Sequence, residues 1–282
     1  MKPQSIPPRI HILLSRDGAS GVIFRRGPSK QVCTIGWDRI NDRFTLGQWL
    51  KGTLYERRCD LSPNGKYLIY FAMKGGETYT AISFAPYIKA LALWGNCGTW
   101  GGGGYFIDNV TVAVTTTPSD KPDKYQGFEN LRPKVNILAS DPYAETYGWF
   151  GWEDPGRYYP RLLRDGWTLI EKKELIAKKT YVTIFDKPLK NGWVLRKLAY
   201  ATSTPRRSGQ GSYYDEHQLM HFPNNELIDY PEWEWADYDG RRLMWVEAGI
   251  LSVGKITKSG LYAIKAIHDF NGMTFEARIA PY

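Results

Sequence analysis

The stretch Cys59-Asp-Leu-Ser-Pro-Asn-Gly-Lys-Tyr-Leu-Ile-Tyr-Phe-Ala72 decides how the rest of the chain is read. A polar turn, Ser62-Pro63-Asn64-Gly65, runs directly into an apolar, aromatic segment from Tyr67 to Ala72. Proline pre-sets φ for a turn, and Asn-Gly tolerates the positive φ that closes one. The segment that follows carries the aromatic and branched residues that favour strands. Gly75-Gly76 then leads to Thr78–Phe84, which reads as the hairpin partner.

Weaker copies of the same phrase stand at Asp17-Gly18, Asp108-Asn109, Asp165-Gly166 and Asp239-Gly240. The first three intervals fall in the forties and fifties, which suits a four-stranded propeller blade with its loops. The last interval is longer, and residues 201–232 read as a loop-like insertion within it. A single four-stranded sheet cannot bury both faces alone, whereas radial packing against neighbours does so, and aromatic side chains fill wedge-shaped gaps. Further strands are expected at Ile10–Leu14, Gln31–Trp37, Val110–Thr116, Thr180–Phe185, Trp193–Ala199, Arg242–Glu247, Ile250–Ile256, Leu261–Ile267 and Met273–Ile279. Gly95–Gly104 reads as a mobile loop and Thr117–Arg132 as a long exposed connection.

Ser62-Pro63-Asn64-Gly65-Lys66, followed by Tyr67-Leu68-Ile69-Tyr70-Phe71, resembles the repeat of WD40-like, TolB-type β-propellers. Asn64 stands where that repeat usually has Asp, and Ala236-Asp237-Tyr238-Asp239-Gly240-Arg241-Arg242-Leu243 is a fainter copy. The resemblance implies a fold and a habit of binding partners, and brings no catalytic residues with it. The expected fold is therefore all-β: a single β-propeller domain over residues 1–282 with five blades. A β-sandwich or barrel is the alternative, because Asp-Gly and Asn-Gly close any hairpin.

Composition narrows the classes. Eleven Trp, 19 Tyr and 11 Phe among 282 residues, with 28 Gly and 17 Pro, favour short strands and tight turns over a helical bundle. The net charge of +8 permits attraction to nucleic acid, but the cations lie in scattered pairs such as Arg25-Arg26, Arg57-Arg58, Arg206-Arg207 and Arg241-Arg242. Three cysteines, Cys33, Cys59 and Cys97, make no Cys-x-x-Cys pair and no disulfide framework. The first eight residues lack a signal-peptide core, and Ala81–Trp94 is too short to span a bilayer. A cytoplasmic protein with no membrane partner is expected.

Three constellations bear on chemistry. Asp215-Glu216-His217 with His221 is the densest titratable group, but the His-x-x-x-His spacing lacks the zincin glutamate and Phe222-Pro223 would stop a helix, so no metal is assigned. No Gly-x-Ser-x-Gly occurs, and nothing pairs a cysteine with His11 or His268, so no catalytic residue is assigned. Trp152-Glu153-Asp154 and Glu232-Trp233-Glu234-Trp235 place carboxylates beside tryptophans, as carbohydrate-binding sites and glycosidases do. Arg157 and Tyr158 interleave a cation with an aromatic ring, as single-strand nucleic-acid binders do. These nine residues are the candidate binding positions. No cofactor is expected. The leading reading is a non-enzymatic module that binds a protein partner through the loops Gly95–Gly104, Thr117–Arg132 and Thr202–Trp235. Carbohydrate binding or hydrolysis and nucleic-acid binding are the alternatives.

Overall fold

A computed structural model describes residues 6–27, 30–96, 98–99, 101–114, 135–138, 155–175, 180–204 and 210–282. Among these residues the chain is built of strands that pair mainly with their sequence neighbours. The first sheet runs β1 (Arg9–Leu14), β2 (Ser20–Arg26), β3 (Gln31–Asp38), β4 (Arg43–Lys51). The second holds β5 (Thr53–Leu54), β6 (Asp60–Leu61), β7 (Tyr67–Lys74), β8 (Glu77–Phe84) and β9 (Ala90–Asn96), with β5 and β6 both on β7. The third is β10 (Gly104–Phe106), β11 (Thr111–Val114) and β12 (Asn136–Leu138). The fourth is β13 (Thr168–Leu175), β14 (Thr180–Pro188), β15 (Trp193–Thr202), β16 (Tyr213–His221) and β17 (Glu226–Tyr230). The fifth is β18 (Trp233–Tyr238), β19 (Leu243–Glu247), β20 (Ile250–Thr257) and β21 (Gly260–Asp269).

This is an all-β, propeller-type fold, with one correction to the expected blade count. Four sheets have the four or five strands of a blade, whereas the sheet at Asp108-Asn109 has three described strands, and β11 pairs β12 in parallel. A blade meander is antiparallel throughout. Among the described residues the count is four blades, not five.

The chain groups into two compact units. The first comprises His11–Gly148, Asp154–Arg161 and Thr274–Tyr282, and the second Met1–Ile10, Trp149–Glu153 and Leu162–Met273. In the first unit β7 explains the unbroken apolar run of the opening stretch. Leu68, Tyr70 and Ala72 point to a cluster with Leu13, Val22, Phe24 and Leu61, while Tyr67 and Ile69 point to another with Ile82, Trp94, Phe106 and Val112. A strand buried on both faces shows no polar alternation.

The recurring polar phrase has a definite hydrogen-bond identity. Ser62 Oγ accepts from Tyr67 N–H (2.9 Å) and donates to Asn64 Oδ1 (2.9 Å), which accepts from Lys66 N–H (3.1 Å). Ser15 Oγ likewise accepts from Ser20 N–H (2.9 Å) and donates to Asp17 Oδ1 (2.6 Å), which accepts from Ala19 N–H (2.9 Å). Asp108 Oδ1 takes the N–H groups of Val110 and Thr111, and Asp239 Oδ1 those of Arg241 and Arg242. Four of the five copies are thus Asx turns. The fifth differs: Asp165-Gly166 ends a helix, α1 (Pro155–Arg164), with Trp167 N–H on Leu162 O and Gly166 at φ +86°.

Three further expectations are corrected. The end of the glycine run, Gly102 to Gly104, is packed, whereas Gly95 and Gly98 face open space: Gly103 N–H donates to Thr80 Oγ1 (2.8 Å), and a Cβ there would overlap the Arg58 carbonyl. The lack of a side chain serves close approach there, not mobility. Residues 213–235, expected as loop, contain β16, β17 and the start of β18. Met273–Ile279 forms no strand, and the tail lies along the first unit with Phe275 against Trp49 (5.8 Å) and Arg278 O accepting from Gln48 Nε2 (3.0 Å). Helix α1 was not foreseen. Trp100 and Thr117–Arg132 lie outside the described residues, as does Cys97.

Candidate functional site

The first unit carries an open groove of about 470 Å3 lined by β2, β3 and β4, the Ser62–Gly65 turn, and Ala85-Pro86. Its walls are mostly apolar, with Val22, Trp37 and Pro86 among them, and Ile40 stands at the rim with 74% of its surface exposed. Trp37 is fixed by a stack on Phe44 (5.8 Å) and by Nε1–H donation to Asp42 Oδ1 (3.1 Å). The twin Asx turns close one side, where Ala19, Ser20 and Gly65 line the groove and Asp17 N–H donates to Pro63 O (3.1 Å). A Cβ on Gly65, at φ +70°, would overlap Ser20 Oγ, so the two turns nest only because position 65 has no side chain.

Asp38 is the one ionisable side chain in this lining. Its Oδ2 accepts from Asn41 Nδ2 (2.8 Å) and its Oδ1 from the Ile40 and Asn41 amides. These bonds from Asn41 and Ile40 hold its carboxyl below the usual range, so it stays an anion. The groove can therefore take an apolar group and offer one carboxylate at its edge. It presents no nucleophile–base pair.

The second unit holds a buried polar network on β15 and β16. Lys197 lies directly opposite His217, and Ala199 opposite Asp215, which puts the three polar side chains on one face. Lys197 Nζ donates to Asp215 Oδ2 (3.2 Å) and to His217 Nε2 (3.0 Å), while His217 Nδ1–H donates to Trp233 O (2.7 Å). The ammonium also sits over the Trp167 ring at 4.9 Å. Burial, reinforced by the Lys197 charge, pushes the His217 imidazole down to about 3, so it is neutral at pH 7. Lys197 and His217 are 3% and 1% exposed, and their polar atoms are committed to one another.

His217 and His221 do not converge. They are four residues apart on a strand, which separates them by about 13 Å. Among the described residues no group of three or more His, Cys, Asp and Glu side chains is placed to hold a metal ion. Cys33 and Cys59 are buried free thiols, each pushed up to about 12 mainly by burial.

The residues singled out in the sequence scatter. Trp233 is buried between Tyr230 (3.9 Å) and Trp245 (4.8 Å), and Trp235 is buried as well. Glu234 is half-buried and Glu232 exposed. Arg157 and Tyr158 are buried on α1, with Arg57 and Arg161 over the Tyr158 ring at 4.8 and 5.3 Å. Trp152, Glu153 and Asp154 lie outside the described residues. Part of the positive charge also points inward: Arg25, Arg57 and Arg58 are buried, and Arg58 donates to the Thr99 and Gly101 carbonyls. Among the described residues no helix is long and apolar enough to cross a membrane. Sequence reasoning missed the groove. The one signal for it was Ser15, which makes Ser15-Arg-Asp-Gly18 a twin of Ser62-Pro-Asn-Gly65.

The fold and site define a β-propeller-type protein with a side groove between its first two sheets. No protein-family model matches the chain, and no curated protein matches it. Among solved structures it is similar to an uncharacterized protein of Listeria monocytogenes EGD-e, at 8% identity over 96% of this chain and 98% of that one, TM-score 0.41. It is also similar to TolB from Acinetobacter baumannii, at 9% identity over 92% of this chain and 54% of that one, TM-score 0.28. A third likeness is to the WD40 domain of SCAP from fission yeast, at 9% identity over 94% and 43%, TM-score 0.25. The chain spans less than two thirds of the latter two. At these scores the fold assignment rests on the chain's own sheets.

Proposed function

We propose that the chain is a non-enzymatic binding module that seats an apolar side chain of a protein partner in the groove beside Trp37. One observation carries the reading: a rigidly framed, mostly apolar groove of about 470 Å3 whose rim exposes Ile40. That volume is within the range of specific binding pockets, and a large exposed aliphatic at a rim is a common docking anchor. The frame is two Asx turns and the paired strands β2 and β3, so little ordering is needed on binding. The lone carboxylate at Asp38 favours a partner segment with a cation next to its apolar anchor.

The test uses two variants of the full chain: Ala19→Trp, which fills the groove, and Ile40→Asp, which charges its rim. Both are expected to melt like the parent and to lose at least ten-fold in affinity for a partner identified by crosslinking. Unchanged affinity in both would remove the groove from the account.

A further inference from the structure

The second unit carries a separate surface where three hairpin turns meet on one ring. Trp193, at the start of β15, is 1% exposed and stacks on His221 at the end of β16 (4.7 Å). A Cβ on Gly260, which opens β21 just after the β20–β21 turn, would stand 3.4 Å from the same indole. Asn191, in the β14–β15 turn, donates through Nδ2 to Ile256 O (3.2 Å) and accepts at its own carbonyl from His221 Nε2–H (3.1 Å). A Cβ on Gly192 would lie 2.9 Å from Pro223, in the 3₁₀ turn Phe222–Asn224 that joins β16 to β17. The turns are therefore locked together at one end of this unit.

What that end presents outward is apolar and cationic. Phe222 is 64% exposed, Tyr262 66% and Leu227 53%. Lys190, Lys255 and Lys258 are exposed on the same turns and the adjoining strand residues, against two exposed carboxylates, Glu226 and Asp229, the second of which accepts from Gln218 Nε2 (2.7 Å). Leu227 follows the Phe222 turn and Tyr262 pairs across from Lys255, so the apolar and basic side chains alternate around the turns. Aromatic and aliphatic side chains on and beside hairpin turns, with lysines among them, match the headgroup region of an anionic membrane, where the rings enter the interface and the ammonium groups meet phosphates.

We infer that this end of the second unit rests on an anionic lipid surface. Binding of this kind needs no spanning helix, and the charge and the placement on and beside the turns together favour it over a protein groove-filler. The inference goes beyond the groove reading and uses none of its residues.

The full chain is mixed with phosphatidylcholine vesicles with and without phosphatidylserine, and co-sedimentation is measured across a salt series. The expected result is binding that requires phosphatidylserine and weakens as salt rises. It should fall about ten-fold or more in Lys190→Glu/Lys258→Glu and, separately, in Phe222→Ser/Tyr262→Ser. Ile40→Asp should leave it intact, so failure here and failure of the groove reading are distinguishable. All variants are exposed-residue changes whose melting is checked alongside. Equal binding to both vesicle types, or binding indifferent to both double substitutions, would overturn the inference. So would retention of a soluble glutamate–tyrosine copolymer by a chain that ignores every vesicle, which would hand this surface to an acidic protein segment.

Discussion

Asp17 donates its backbone N–H to the carbonyl of Pro63 at 3.1 Å, and that bond joins the first two copies of the chain's repeated turn. The next copy continues the series, with Asn64 N–H on Asn109 Oδ1 (2.9 Å) and Arg16 Nη2 on Ile107 O (2.9 Å). Within the first unit, the phrase that recurs in sequence is thus a set of turns that hold one another. It also frames the groove.

Gly65→Ala should destabilise the fold by about 1–3 kcal/mol, since it imposes a Cβ at φ +70° and displaces Ser20. Ser62→Ala and Ser15→Ala should each cost about 1 kcal/mol or more, because each hydroxyl bridges a backbone amide and an Asx side chain. Urea unfolding checks all three. A neutral Gly65→Ala would mean the turns do not nest as described.

Asp215→Ala should cost about 3–5 kcal/mol, because it leaves the Lys197 ammonium buried without its carboxylate. Replacing both partners, as Lys197→Met with Asp215→Leu, should recover most of that loss. Equal losses in the single and double variants would contradict the pairing.

The acid limb of stability should carry the signature of His217. Its folded-state value is pushed down to about 3, whereas an unfolded histidine titrates near 6.5. The unfolded chain therefore binds a proton that the folded chain refuses between those values. The stability this group contributes is full above about pH 6.5 and declines as pH falls toward 3, by roughly 1.4 kcal/mol per pH unit at most. His217→Gln should lower stability at neutral pH and flatten that slope, as read from denaturation midpoints at several pH values.

Cys33 and Cys59 should resist thiol reagents in the folded protein, since burial raises both to about 12 and the thiolate is the reactive form. In a Cys97→Ser background, labelling should track global unfolding. Fast labelling under native conditions would show that one of the two sites opens locally.

Much of the fold was legible because it rests on local rules. The Asn64-Gly65 turn and the apolar run behind it identified β7 and its partner β8, and the copies at Asp17, Asp108 and Asp239 fall between the first two strands of their sheets, at β1–β2, β10–β11 and β18–β19. The fifth-blade expectation failed because a turn signal does not report how many strands follow it; β10–β12 make only a three-stranded described sheet. Asp165-Gly166 misled for a related reason, as Asp-Gly closes a hairpin or stops a helix equally well. Asp215–His221 looked like loop because its carboxylates and histidines read as surface residues. In the structure their partners come from Lys197 and Trp233, which no local pattern connects. The groove was illegible for the same reason: Val22, Trp37, Gly65 and Pro86 meet only through packing of two sheets. Trp233 and Trp235 have the composition of a sugar platform, but their faces are covered by neighbouring side chains or buried in the sheet, which sequence does not report.

The central claim is that the groove beside Trp37 is where a partner docks. Photo-crosslinking from position 40, with position 170 on the exposed strand β13 as the control, tests it most directly. The account predicts a discrete polypeptide adduct from position 40 that is lost when Ala19→Trp fills the groove, and none from position 170. Adducts of equal yield from both positions, unaffected by Ala19→Trp, would contradict it.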